Sequence, residues 1–120
     1  MKVFITTQFE GMHRWKDAPK QVDFLRNYHR HMFHVRLEVE VVEEDREIEF
    51  ILLKRELNRF IRILFDGKNL DDSCETIAKK ILMFMTEKDE VCYKRNVLCE
   101  VSEDGENGAI VQMTKEGVFL

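Results

Sequence analysis

The run from Tyr28 to Val41 constrains this chain more than any other segment. Read in steps of two from His29, it gives His31, Phe33, Val35, Leu37, Val39 and Val41. The other parity gives Met32, His34, Arg36, Glu38, Glu40 and Val42. Alternation at period two is the signature of a β-strand with one face buried and the other in water. A helix would scatter both sets around its circumference. The spacing therefore predicts a long half-buried strand over 29–42, with His29 and His31 on its apolar side at the N-terminal end. His34 falls on the solvent side.

A second strand, Lys2 to Met12, carries Val3, Ile5, Thr7, Phe9 and Gly11 on one parity, with His13 following in phase. Three imidazoles on buried strand positions are costly unless their lone pairs are used, and a metal ion uses them. Zinc prefers imidazole nitrogen at roughly 2.0–2.1 Å, and a catalytic zinc takes three protein ligands and keeps one position open. His13, His29 and His31 form such a candidate set; the alternative is that they are hydrogen-bonded core or loop histidines.

Downstream the period changes. Leu53, Leu57, Phe60, Ile61 and Leu64 form one stripe of an amphipathic helix, which Asp66-Gly67-Lys-Asn69 breaks. Cys74, Ile77, Ala78, Ile81, Leu82 and Met85 form a second stripe. Asp72 is its expected N-cap and Glu75 the capping-box partner. Val97–Ser102 and Ala109–Met113 read as closing strands around the turn-rich Glu103–Gly108, Ile48–Phe50 as a short return strand, and Arg14–Asn27, with the sole proline, as a loop.

The 120 residues suit one domain. A net charge of −4 gives no electrostatic reason to expect nucleic acid or an anionic membrane as partner. No apolar run approaches the roughly 20 residues of a transmembrane helix. Three cysteines, odd in number and without a CxxC pair, fit a reducing, cytoplasmic setting.

Several segments, in order, resemble one family. Phe9-Glu-Gly-Met-His13-Arg14 and His29-Arg-His31-Met-Phe33-His-Val35-Arg-Leu37 are similar to the FxAxHR and HGHxFxVxLxV segments of the 6-pyruvoyl/6-carboxytetrahydropterin synthases. Ile48-Glu-Phe50 through Lys54 matches the start of that family's first helix. Phe65-Asp66 and Leu70 match its LDHxxLN segment, Ser73-Cys-Glu75 through Ile81 its PTSExxAxxI segment, and Cys99-Glu100 its late strand with a glutamate. The resemblance spans about residues 3 to 112.

It implies an α+β T-fold: an antiparallel four-stranded sheet with two helices on one face, assembling into a barrel as a trimer or hexamer. It implies zinc on His13, His29 and His31, and lyase chemistry on 7,8-dihydroneopterin triphosphate or a related pterin, in a pterin or 7-deazaguanine (queuosine-type) pathway. Glu100 would grip the pterin, with Glu75 and Cys74 completing the substrate-binding set. Cys74 has a plainer reading as the first residue of an apolar stripe, and Glu75 as a cap.

The departures are specific. Leu25 stands where the family has its catalytic cysteine, and Arg26 where a variant subgroup has a glutamate. Of the family's Asp-His relay, Asp66 is kept and the histidine position is Gly67, which leaves Asp66 as the expected acid/base residue. Arg30 replaces the glycine of HGH. Two functions follow from this pattern: a lyase with an altered proton-transfer apparatus, or a pterin-binding protein without catalysis.

Overall fold

Twelve consecutive cross-strand pairs join β1 (Lys2–His13) to β2 (His29–Glu40), from Lys2 opposite Glu40 to His13 opposite His29. The computed structural model describes residues 1–88 and 91–120. Beyond β2 come α1 (Phe50–Leu64), a two-residue strand β3 (Asn69–Leu70), α2 (Cys74–Lys88), β4 (Val97–Glu103) and β5 (Asn107–Met113). The sheet order is β3-β1-β2-β4-β5, antiparallel except for β3, which runs parallel to the end of β1 and pairs only Met12 and His13.

The expected parities hold. Phe33, Val35, Leu37 and Val39 of β2 are buried and face Ile5 and Phe9 of β1 and Val97, Cys99 and Val101 of β4. Both helices close this face. Leu53, Leu57, Phe60 and Ile61 of α1, and all six stripe residues of α2, join the same core. Leu64 is exposed; α1 ends there, and Phe65 turns back into the core instead, stacking on Phe9 with ring centroids 5.7 Å apart. The opposite face is polar, with the Arg36 guanidinium 3.8 Å above the Phe4 ring.

Four local expectations are corrected. The sheet has five strands, because Asn69–Leu70 adds to β1. Ile48–Phe50 is not a strand: Ile48 is buried in the connection, and Glu49 caps α1 by accepting the Leu52 N–H at 2.9 Å. The cap of α2 is Ser73, whose Oγ accepts the Thr76 N–H at 3.2 Å, while the Asp72 carboxylate holds the Lys80 ammonium at 2.6 Å. The 14–27 connection contains 3₁₀ turns across Lys20–Arg26, kinked at Val22. Among the described residues no helix is long and apolar enough to cross a membrane.

The hairpin between β4 and β5 is tighter than the sequence reading. Both strands extend to the pair Glu103–Asn107, and Asp104 and Gly105 take φ of 57° and 73°. The Glu106 N–H reaches the Glu103 carbonyl at 3.0 Å, which closes a type I′ turn, and Asp-Gly is the dipeptide this turn favours. Gly108 sits so close to β4 that an added Cβ would lie 2.1 Å from the Val101 carbonyl oxygen. The obstacle is backbone, so it yields only by moving a strand. Gly108→Ala is expected to lower stability by about 1–3 kcal/mol, read as a lower urea midpoint. An unchanged midpoint would contradict this strand approach.

Candidate metal centre and cavity

The register of β1 and β2 sets His13 directly opposite His29, and His31 follows two residues along on the same face. The three rings stand nearly perpendicular to one another, with centroids 4.5 to 5.2 Å apart. Phe33 forms the floor, edge-on to His13 at 5.1 Å. One ring nitrogen from each histidine lies within 4.8 Å of the other two.

Hydrogen bonds decide which nitrogens those are. His13 Nδ1 meets the Asp72 carbonyl at 3.1 Å, His29 Nδ1 the Asn27 carbonyl at 2.9 Å, and His31 Nδ1 an Asp104 carboxylate oxygen at 2.7 Å. All three partners only accept, so each Nδ1 carries its proton and donates it. Each Nε2 is left with a free lone pair. This arrangement, with the outer nitrogen tied to a carbonyl or carboxylate, is what metal-ligating histidines use to fix tautomer and orientation.

His13 is 7% exposed, and its Nε2 has no hydrogen-bond partner. Glu103 Oε1 approaches it to 3.0 Å, but out of line for a hydrogen bond. A short contact at a poor angle leaves the nitrogen unsatisfied. Burial pushes the His13 pKa below its ordinary value, outweighing the Asp72 carbonyl and the Glu103 charge, and favours the neutral imidazole. An orphaned buried nitrogen, a fixed tautomer and two convergent neighbours fit a metal ion, and the three-imidazole set suits zinc among several transition metals.

A cavity of about 540 Å³ opens beside the histidines. His13, His29, Arg14, Trp15, Leu25, Cys74, Glu75 and Glu103 are among its walls. Leu25, brought in by the 3₁₀ segment, lines it with an apolar side chain, at the position where the resemblance places the family's cysteine. Its carbonyl accepts the Trp15 N–H at 2.8 Å, tying that segment to the end of β1.

The sequence-predicted residues separate here. His13, His29 and His31 come together. Cys74 and Glu75 reach the cavity wall. Cys74 is buried, and its thiol is pushed up to about 12, first by burial and then by the Glu103 and Glu75 charges, so the helix N-terminus does not produce a thiolate. Asp66 is exposed in the turn after α1, outside the cavity wall. Glu100 lies on the other face of the sheet, opposite Arg36 on β2, beside a different cavity with Gln8 and His34. Arg30 also points away and pairs with Glu10 at 2.9 Å.

Glu103 is the residue the sequence reading missed. It pairs with Phe33 and so shares the face of the histidines, its two oxygens 3.0 Å from His13 Nε2 and 3.4 Å from His31 Nε2. The signal was present: Val97, Cys99, Val101 and Glu103 share one parity. Assigning Glu103 to the turn concealed it.

No family model matches the sequence, and no curated protein matches it either. Solved structures do. An uncharacterized protein from Wolinella succinogenes superposes with a TM-score of 0.71 at 16% identity, covering 92% of this chain and 98% of that one. The 6-pyruvoyl tetrahydropterin synthase of Caenorhabditis elegans superposes with a TM-score of 0.67, also at 16% identity, covering 95% and 94%. The chain has the fold of a tetrahydropterin synthase. This T-fold agrees with the resemblance read from the motifs.

The thiol chemistry of this T-fold chain is directly testable. All three cysteines are buried, and Cys74, on the cavity wall, stays protonated through pH 8. Native protein is expected to react with a thiol reagent at pH 8 far more slowly than protein unfolded in guanidinium, which should release three thiols at once. Rapid labelling of Cys74 in the native state would reinstate it as a nucleophile or base.

Proposed function

We propose that this protein is a zinc-dependent, pterin-binding T-fold protein that acts as a lyase on 7,8-dihydroneopterin triphosphate or a related pterin or 7-deazaguanine precursor. The observation that carries the reading is the convergence of three histidine nitrogens, with His13 and His29 on the wall of a cavity large enough for such a bicyclic ligand. His13, His29 and His31 would hold the zinc. Bound there, it would supply Lewis acidity toward ligand hydroxyls, lowering their proton affinity.

The remaining work falls to the chain's own groups. Glu103, beside the histidines on the cavity wall, is the carboxylate suited to accept two N–H groups of a pterin as a charge-assisted pair. This assignment moves the role from Glu100 to Glu103. Leu25 excludes water from the wall but moves no proton, and Cys74 offers no thiolate. Asp66 could contribute proton transfer only across a contact between subunits. The trimer or hexamer reading is consistent with that, since β3 covers only the last two residues of β1 and leaves a long edge for pairing.

A second reading, a pterin-binding protein without turnover, draws support from one observation: the position of the missing nucleophile is filled by leucine within the cavity wall itself. Turnover of dihydroneopterin triphosphate decides between the two. Loss of a general acid/base costs about 10²–10⁴-fold, so the lyase is expected to be slow and zinc-dependent, whereas the binder yields no product at any enzyme concentration.

Metal and ligand each have a measurement. Elemental analysis of purified protein should give about one zinc per subunit, lost in a His29→Ala/His31→Ala variant; protein that takes up no added zinc would refute the assignment. In calorimetric titration with a dihydropterin, Glu103→Gln should weaken binding by about 1–3 kcal/mol, because the amide sets a donor against a donor in a desolvated site. Glu100→Gln should bind as the parent does. The reverse pattern would return the role to Glu100.

A further inference from the structure

We propose that Asp104 is the residue that sets the metal-binding tautomer of His31, and that the β4–β5 turn is thereby part of the metal centre. This rests on the metal reading above and adds to it a residue on a different element. Asp104 occupies the first corner of the hairpin turn and makes three contacts to β2. Its N–H donates to the Met32 carbonyl at 2.7 Å, its Oδ1 accepts the Met32 N–H at 2.9 Å, and its Oδ2 accepts the His31 Nδ1–H at 2.7 Å. The first two continue the ladder between β2 and β4 past its last strand pair, Phe33–Glu103. They fix the carboxylate so that its second oxygen has one place to go, which is the outer nitrogen of His31.

The three histidines differ in how they are held. His13 and His29 donate to backbone carbonyls, which no substitution at Asp72 or Asn27 removes. His31 alone depends on a side chain. It also leans on a turn that lies 73 residues further along the chain. A free imidazole exchanges its proton between the two nitrogens, and with the proton on Nε2 the inward lone pair is lost. An anionic acceptor at Nδ1 holds the proton outward and raises the basicity of Nε2.

Asp104→Asn separates this role from a structural one. Asparagine tolerates the left-handed φ of 57°. Its carbonyl oxygen can still accept the Met32 N–H, which leaves its NH₂ facing His31 Nδ1. Two donors cannot meet, so His31 must shift its proton to Nε2 or turn away. The reversed amide fares no better, since it sets NH₂ against the Met32 N–H.

The first readout needs no metal. Nitrogen-15 chemical shifts of metal-free protein should give His31 protonated at Nδ1 in the parent and at Nε2 in Asp104→Asn, with His13 and His29 unchanged. The second is zinc affinity by competition with a chelator, expected to fall about 10–100-fold in Asp104→Asn while the melting temperature of the metal-free protein stays at the parent value. Asp104→Ala, which also loses the Met32 contact, should lower both. An unchanged His31 tautomer, or zinc affinity equal to the parent's, would overturn the proposal. So would a fall in affinity matched by the same loss of melting temperature as in Asp104→Ala, because that makes the residue structural only. Parent protein that binds no zinc but retains the two tautomers would instead remove the metal reading and leave the positioning of His31 by Asp104 standing.

Discussion

The pairing of β1 with β2 is the constraint on which everything else depends. Because side chains alternate along a strand, a slip of one residue would turn the whole apolar set of either strand outward. The twelve-pair register is therefore enforced by the core, through Phe9 against Phe33 and Ile5 against Leu37. The same register ends in His13 opposite His29. The hydrophobic effect, which has no interest in metals, is thus what brings the first two imidazoles face to face.

The remaining elements act on this frame from outside. The short strand after α1 lies along the end of β1 and brings the Asp72 carbonyl to His13. The segment before β2 supplies the Asn27 carbonyl to His29, and the β4–β5 turn supplies Asp104 to His31. Three separate connections each hold one ring. The strands fix where the histidines are, and the connections fix which nitrogen each presents.

How much of this was legible in the sequence follows from that division. Strand parity is a local property, so the core face of β2, the stripes of both helices and the histidine triad could be read directly. Contacts made by connections leave no periodic trace, and those of Asp72 with His13 and of Asp104 with His31 also span 59 and 73 residues. Nothing local distinguishes Ser73 from Asp72 as a cap; Ser73 takes the Thr76 N–H, while the Asp72 carboxylate pairs with Lys80, eight residues on. Two residues, Asn69 and Leu70, are too few to show alternation. Glu103 was hidden by composition: a turn-rich stretch with acidic residues and glycines reads as loop throughout, although the type I′ turn needs only its middle. The motifs carried the T-fold correctly at an overall identity to solved structures too low to show more than a fold.

One wall residue gives the cavity an unplanned property. The chain contains a single tryptophan, Trp15, and it stands at the rim, half exposed, two residues beyond His13. An indole so placed is the chain's only tryptophan chromophore, and a dihydropterin absorbs in the range where indole emits. Intrinsic tryptophan emission therefore reports from the cavity beside the histidines, with no tryptophan background from the core. Filling the cavity becomes an optical event that needs no label.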